Sequence, residues 1–221
     1  MKSILKKYSH AWVLLYFFIY LPWFLWLEKT VITDYTNVGS RFDELIPFCE
    51  LFVIPYFLWF AYIAVTIAYF FFTSKQDFYK CCAFLFIGMT ICLTIYTIWP
   101  NGQNLRPTSF TRDNLLIDIV KKLYSTDTAT NVCPSIHVFN SIGAHIAITH
   151  NKQLSSHKWI LHGSLILTIL ISMSTVFLKQ HAIFDVACSV ALSVVMYLVV
   201  YKIDYSKLFV MKKSKKDEPL W

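Results

Sequence analysis

The chain is poor in charged residues. Only 15% of its 221 residues are charged, whereas 57% are hydrophobic and 18% are aromatic. Average soluble domains carry about 25% charged residues. This deficit excludes an ordinary soluble domain and favours a membrane protein that folds as a single domain, residues 1–221.

The sequence also lacks the residue patterns of a disulfide framework and of a metal site. Four of the six cysteines fall within apolar runs, where cysteine packs as a small hydrophobic residue. Cys49 and Cys133 lie near the predicted outer face and could pair, but no spacing supports a bond. His137, His145 and His150 share one predicted helix, yet no carboxylate or cysteine completes a metal-ligand set with them. The sequence therefore predicts no disulfide scaffold, no metal and no cofactor.

Long apolar runs make up most of what is present. A helix needs about 20 mainly apolar residues to cross a bilayer, and six runs approach that length. They cover residues 9–27, 46–72, 78–99, 134–150, 158–177 and 181–201. The fourth is the shortest and most polar, and the first lacks the small-residue cleavage site of a signal peptide. The sequence therefore predicts an all-α, polytopic bundle of six transmembrane helices.

The basic residues predict the orientation of this bundle. Six crossings leave both termini on one side of the membrane, with 13 of the 20 Lys and Arg residues there and seven opposite. The positive-inside rule then makes the termini cytoplasmic, and we expect the plasma membrane as the location. Topology explains most of the net charge of +7, which leaves no separate nucleic-acid surface. The basic tail, about 202–221, is expected to touch anionic lipid heads.

The outer loops contain two local helix signals. Ser40 and Asp43 have the spacing of a capping box, which predicts that they lead into the second span. Between the third and fourth spans, apolar residues form one helical stripe, and Asp118, Lys121 and Lys122 lie off it. We expect an interfacial helix there, over about 112–124.

A histidine and a carboxylate stand at the start of the sixth run. His181 and Asp185 are four residues apart, so on a helix they share one face. Asp185 can accept a hydrogen bond from one ring nitrogen of His181 and leave the other basic. Such a pair is an oriented nucleophile or base. The alternative is a helix-end pair that only satisfies two polar groups.

Two further polar segments belong to the same predicted membrane face. Arg106 could clamp a phosphate through its planar fork of donors, or it could only snorkel to the interface. Pro134 suits the first position of the fourth helix, so the amides of Ser135, Ile136 and His137 are expected to be unpaired donors. A helix N-terminus of this kind binds anions. Phosphate is therefore the natural common ligand of the three segments.

The order and spacing of these segments resemble the type 2 phosphatidic acid phosphatase superfamily. Its signatures are Lys-x6-Arg-Pro, Pro-Ser-Gly-His and Ser-Arg-x5-His-x3-Asp. The matching residues are Arg106 and Pro107 for the first, 134–137 with Ile136 in place of glycine for the second, and Ser174, His181 and Asp185 for the third.

Two cations of that pattern are absent. Trp99 stands where the first signature has lysine, and Thr175 stands where the third has arginine. Lys179 is the best substitute, with weaker candidates in Arg112, Lys121 and Lys122. The segments Pro-Ser-Ile-His and Lys-Gln-His also resemble the branch of inositol phosphorylceramide and sphingomyelin synthases.

The resemblance implies a lipid phosphatase that works without metal through a phosphohistidine. His181 would attack phosphorus, Asp185 would orient it, and His137 would protonate the leaving oxygen. The implied phosphate-binding residues are Arg106, Ser135, Ile136 and Lys179. The expected substrate is a bilayer lipid, such as phosphatidic acid, phosphatidylglycerol phosphate or a polyprenyl (di)phosphate, reached from the extracytoplasmic side. A head-group phosphotransferase, an inactive scaffold or transporter, and assembly as a homo-oligomer stay open.

Overall fold

The architecture was obtained from a computed structural model, which describes residues 7–203. Within this range the chain forms nine helices and one pair of two-residue strands. The helices are α1 (Ser9–Thr30), α2 (Arg41–Glu44), α3 (Glu50–Thr73), α4 (Lys75–Ile98), α5 (Leu115–Thr126), α6 (Ile136–His150), α7 (Lys152–Ser155), α8 (Lys158–Phe177) and α9 (Ile183–Lys202). The strands are β1 (Thr36–Asn37) and β2 (Asn101–Gly102). The predicted all-α polytopic class is confirmed, while nearly all of the predicted basic tail, about 202–221, lies outside the described residues.

Five of these helices are long and apolar enough to cross a membrane. They are α1, α3, α4, α8 and α9, which have between 20 and 24 residues each. Apolar side chains on their outer faces stay exposed, as expected for helices surrounded by lipid. The protein is therefore an integral membrane protein.

The predicted fourth span is shorter than expected. α6 has 15 residues and is not among the five long spans. It nevertheless joins the two ends of the bundle, because His137 lies at one end while His150 packs on Tyr201 at the other. Its surroundings explain the length: nine of its residues are buried against other helices, so it need not match the thickness of the hydrocarbon.

Two glycines bring α4 and α6 into close contact. A Cβ atom on Gly88 of α4 would lie 2.0 Å from the ring of Phe139, and one on Gly143 of α6 would lie 2.6 Å from the ring of Phe84. The two phenylalanine rings stack on each other with centroids 5.0 Å apart. Small residues allow this approach, which fixes α6 in the centre of the bundle.

The upper end of the bundle, which consists of residues 28–52, 99–135 and 178–182, is a compact network of loops. β1 pairs with β2 in parallel, an element that the sequence analysis did not predict. α5 is the predicted amphipathic helix and begins at Leu115, and its apolar face packs on Tyr56 and Leu178. Cys49 and Cys133 are both free thiols, so they form no bond.

The predicted capping box forms, but it caps a different helix. The Asp43 carboxylate accepts hydrogen bonds from the amide and hydroxyl of Ser40, at 2.8 and 2.6 Å. These contacts begin the four-residue helix α2, whereas α3 begins six residues later, at Glu50. The second oxygen of Asp43 accepts the amide of Ile183 at 2.6 Å. The motif therefore ties the first outer loop to the start of α9.

Candidate active site

The His181–Asp185 pair forms as predicted, although His181 precedes α9 rather than lying on it. Asp185 is the third residue of α9, and its carboxylate accepts the amide of Ala182 at 2.9 Å and Nδ1 of His181 at 3.3 Å. The carbonyl of Val132 lies closer to the same Nδ1, at 2.9 Å. Two acceptors therefore favour a proton on Nδ1 and leave Nε2 basic.

His137 faces this pair from the first turn of α6. The ring centroids of His137 and His181 are 5.9 Å apart. Two aromatic rings of α3 position His137, with centroid distances of 4.5 Å to Tyr56 and 4.4 Å to Trp59. The bundle thus brings together two imidazoles that are 44 residues apart in the chain.

The start of α6 differs from the prediction in one respect. Pro134 is not the first helical residue: the helix begins at Ile136, and Ser135 is its N-cap, whose Oγ accepts the amide of Val138 at 3.4 Å. The Ser135 amide is not free either, since it donates to the backbone carbonyl of Asp185 at 3.4 Å. Among residues 7–203 the amides of Ile136 and His137 have no acceptor. Two of the three predicted donors therefore remain available to an anion.

Arg106 contacts Gln180, the residue before His181. Both of its terminal guanidinium nitrogens are occupied, whereas Nε has no partner within residues 7–203. Its guanidinium donates to the carbonyls of Tyr124 and Thr128, at 3.2 and 2.7 Å, and to the side-chain oxygen of Gln180. It also stacks over the Tyr124 ring at 4.5 Å. Burial lowers the pKa of Arg106, and the Asp127 carboxylate opposes that shift. Arg106 stays a cation. Gln180, which it contacts, is the residue that precedes His181.

Lys179 directs its ammonium to the first outer loop. Its Nζ donates to the carbonyls of Asp43 and Ile46, at 2.5 Å each, and these carbonyls belong to the first outer loop. The residue adopts a positive φ of 52° in the turn between α8 and α9. Burial lowers the pKa of its ammonium, while Asp43 and Glu44 raise it. In the structure Lys179 therefore connects the first outer loop to the turn before His181, and its role as a phosphate-binding cation stays a prediction.

A large cavity opens in front of the two histidines. Its volume is about 1130 Å³, and α1, α3, α4 and α6 supply most of its apolar wall. His137, His181 and Ile136 line it, together with a polar rim at the upper end. Arg106, Ser135 and Lys179 are not among its lining residues. The rim residues are Glu28, Asp127, Thr128, Asn131 and Gln180.

The sequence analysis missed the residues that hold the site segments in place. The side chain of Asn101 accepts the amides of Val132 and Cys133, at 3.0 and 2.7 Å, and so fixes the segment before α6. Gln103 donates to the carbonyl of Lys179 at 2.8 Å and fixes the turn before His181. Both lie between Trp99 and Arg106, in a stretch where the sequence signatures single out only the residues at its two ends. Their burial was not readable from the sequence.

A carboxylate of α1 completes the rim. Glu28 accepts the amide and hydroxyl of Thr128, at 3.0 and 2.6 Å, and the side-chain amide of Asn131 at 3.1 Å. Asn131 adopts a positive φ of 58° immediately before the segment that carries Val132. The first helix is therefore linked directly to the loop that orients His181.

One of three comparisons with known proteins finds a match. The family model of the PAP2 superfamily matches residues 99–208, a range that contains Arg106, His137, His181 and Asp185. No curated protein and no solved structure matches the chain significantly. With six hydrophobic runs, three ordered signatures and a matching family model, the chain belongs to the PAP2 superfamily.

Proposed function

We propose that this protein is a membrane-integral lipid phosphatase that forms a phosphohistidine on His181. The observation that carries the proposal is the facing pair of His137 and His181, 5.9 Å apart, at the polar end of an apolar cavity. Nucleophile and general acid must both reach one phosphorus atom. Because both rings line the same end of the cavity, one phosphoryl group bound there could contact both of them.

The cavity supports a lipid as the substrate. Its wall contains Leu25 on α1 and Phe60 on α3, which are 54% and 55% exposed, so the cavity is accessible from the side of the bundle. Lipid chains therefore have a route from the bilayer, with the phosphate at the rim. Phosphatidic acid, phosphatidylglycerol phosphate and polyprenyl (di)phosphates fit this description, and a soluble phosphate ester would leave the apolar wall unfilled.

In the first step, Nε2 of His181 attacks phosphorus while the P–O bond to the lipid breaks. His137, in its protonated form, gives its proton to the leaving lipid oxygen. Asp185 stabilises the positive charge that His181 gains, and the Val132 carbonyl keeps the ring oriented. The products are the lipid alcohol and the phosphohistidine. A positioned general acid typically contributes about 10²–10⁴ in rate.

In the second step, neutral His137 takes a proton from water, and the resulting hydroxide equivalent attacks phosphorus. The P–N bond breaks, inorganic phosphate leaves and His181 is restored. The amides of Ile136 and His137, at the positive end of α6, bind the equatorial oxygens. The Ser135 hydroxyl adds a donor, and Arg106 contributes positive charge through its position beside Gln180. Each such preorganised donor is worth about 2.7–4 kcal/mol.

The proposed orientation puts this site on the extracytoplasmic side of the plasma membrane. The described residues at the opposite end of the bundle include Lys75, Lys80, Lys152 and Lys158. In the topology predicted from the sequence, 13 of the 20 Lys and Arg residues belong with that end, as the positive-inside rule requires of a cytoplasmic face.

A head-group phosphotransferase is the second candidate. It is favoured by the rim, where the carboxylates of Glu28 and Asp127 line the cavity together with His137. Carboxylates accept hydrogen bonds from hydroxyl groups, so they suit a polyol or ceramide acceptor better than they suit a phosphate. The phosphohistidine would form in the same way, and a hydroxyl would replace water in the second step.

The experiment is an assay of purified protein with labelled lipid phosphates in chelator, with and without inositol or ceramide. We expect free phosphate without an acceptor, and loss of turnover in His181→Ala and His137→Ala proteins that still fold. Arg41→Ala, at an exposed position of α2, is the control. Activity that is unchanged in His181→Ala would refute the mechanism. Transfer without hydrolysis would establish the second candidate, and inactivity of the wild type on every lipid would leave a scaffold or transporter.

A further inference from the structure

Two polar side chains lie deeper in the cavity than the histidines, and both lack a partner. The amide oxygen of Asn140 on α6 and the indole nitrogen of Trp59 on α3 have no hydrogen bond within residues 7–203. Asn140 is only 1% exposed, and both residues line the cavity. A buried polar group without a partner costs about 1–3 kcal/mol. Groups of this kind at a cavity wall indicate a ligand that supplies the missing partners.

Their depth is defined relative to the reacting histidine. Asn140 is three residues after His137, which is about 4.5 Å along the helix axis, away from the upper end. The Trp59 ring contacts His137 directly, at a centroid distance of 4.4 Å. Further along the same wall the lining is apolar, with Ile63, Ile67 and Met89. From the upper end downwards, the cavity therefore has the proposed phosphate site, then a short polar zone, and then an apolar wall.

This order matches one class of lipid phosphate. In ester- and amide-linked lipids, a carbonyl lies a few covalent bonds from the phosphate, and the hydrocarbon chain follows it. An indole N–H donates to a carbonyl, and an asparagine amide both donates and accepts. A polyprenyl phosphate has only hydrocarbon beyond the phosphate, so it would leave both groups unpaired in an environment without water.

We propose that Trp59 and Asn140 form a subsite for the ester or amide linkage of the substrate, so that the enzyme prefers acyl-linked lipid phosphates to polyprenyl phosphates. The inference rests on the proposed phosphatase function, whose substrate class it narrows. Glycerolipids and sphingolipids share the required carbonyl. The two lipid classes differ in that only the sphingolipid adds an amide N–H and a hydroxyl.

The test compares lipids that share a phosphate and differ in how that phosphate is joined to hydrocarbon. The four substrates are phosphatidic acid with ester-linked chains, its diether analogue, ceramide 1-phosphate and undecaprenyl phosphate. The diether analogue keeps the phosphate and the chains but has no carbonyl. For the wild type we expect kcat/KM on an acyl-linked lipid to exceed that on the diether roughly tenfold, since one buried hydrogen bond is lost. A higher rate with ceramide 1-phosphate than with the diester would identify the sphingolipid as the source.

Variants connect this preference to the two side chains. Asn140→Leu keeps the volume without the amide, and Trp59→Phe keeps an aromatic ring against His137 without the N–H. In each we expect the ester-to-ether ratio to fall towards one. Ser164→Ala removes a buried polar group that contacts His145 outside the cavity, and it should keep the wild-type ratio. A wild-type ratio near one, an unchanged ratio in both variants, or faster hydrolysis of undecaprenyl phosphate would overturn the subsite.

A binding measurement separates the subsite from the phosphatase function. The same lipids are titrated against His181→Ala protein, and the shift in thermal unfolding temperature is recorded. Preferential stabilisation by the ester over the ether lipid, abolished by Asn140→Leu, supports the subsite even if no lipid is hydrolysed. Hydrolysis without any such preference supports the phosphatase and refutes the subsite.

Discussion

At the scale of single residues, the chemistry depends on which nitrogen of His181 is free. The Val132 carbonyl and the Asp185 carboxylate both lie on the Nδ1 side, at 2.9 and 3.3 Å. Of these two acceptors only Asp185 is charged, so in the proposed mechanism it is the stronger stabiliser of the imidazolium that His181 becomes. The Val132 carbonyl can orient the His181 ring without Asp185. Orientation and charge stabilisation are therefore supplied by different groups.

Asp185→Asn tests this division. The amide keeps the size of the side chain but removes the charge, so we expect kcat to fall by about 100-fold or more, with little change in unfolding temperature. Steady-state kinetics on a lipid phosphate would measure it. Asp118→Asn, on the exposed face of α5, is the matched control and should retain wild-type kcat. Wild-type kcat in Asp185→Asn would mean that the Val132 carbonyl alone is enough to keep His181 active.

Lys179 gives a prediction opposite to the one its sequence position suggested. Its ammonium joins the carbonyls of Asp43 and Ile46, and hydrogen bonds to charged groups contribute about 1.5–3 kcal/mol. Lys179→Met should therefore lower the unfolding temperature, while KM of the folded protein changes little. Lys121→Met, at a half-exposed position on α5, serves as the control. A raised KM with unchanged thermal stability would support the phosphate-binding role.

At the scale of elements, the position of His137 depends on the packing of α6. This helix sits against α4 through Gly88 and Gly143, each of which faces a phenylalanine ring of the other helix. Protein interiors of this density do not absorb an extra methyl group without movement. A shift of α6 would move His137 relative to His181. It would also disturb the contacts of His137 with Tyr56 and Trp59, which belong to α3.

Gly88→Ala tests the packing of this helix. The new Cβ would meet the Phe139 ring at 2.0 Å, and overpacking of this kind typically costs 1–3 kcal/mol. We expect a lower unfolding temperature in detergent and a lower kcat. Gly163→Ala is a matched control, since a Cβ at Gly163 of α8 would have no atom within 4 Å. Equal behaviour of the two variants would show that the contact of α4 with α6 is not limiting.

At the scale of the whole molecule, the loops at the upper end act as one unit. Glu28 of α1, Asp43 of the first outer loop and Asn101 of the second each bond to a segment that carries a site residue. The five long spans hold this unit at one end of the bundle. The proposed orientation makes that end extracytoplasmic.

Cysteine labelling tests the orientation. In a background without the native cysteines, Asp113→Cys lies on the outer loop before α5, and Gln153→Cys lies on α7 at the opposite end; both positions are exposed. An impermeant maleimide added to intact cells should label Asp113→Cys, and it should label Gln153→Cys only after permeabilisation. The reverse pattern would turn the site towards the cytoplasm.

The sequence by itself determined the membrane-spanning class, the three site segments and their order. Those features are local, since apolar run length, helix-start chemistry and the spacing of His181 from Asp185 can each be read within a few residues. Boundaries were less certain. The fourth span was predicted over 134–150 but begins at Ile136, because Ser135 takes the capping position.

Only the tertiary structure decided which groups meet. It brought His137 to His181, directed Lys179 to the carbonyls of a distant loop, and placed Val132, Asn101 and Gln103 where they hold the segments around His181. These contacts join residues far apart in the chain, and no local pattern encodes the partner of a buried polar group. The pairing follows from the closure of the whole bundle, in which each buried donor takes the acceptor that lies within reach.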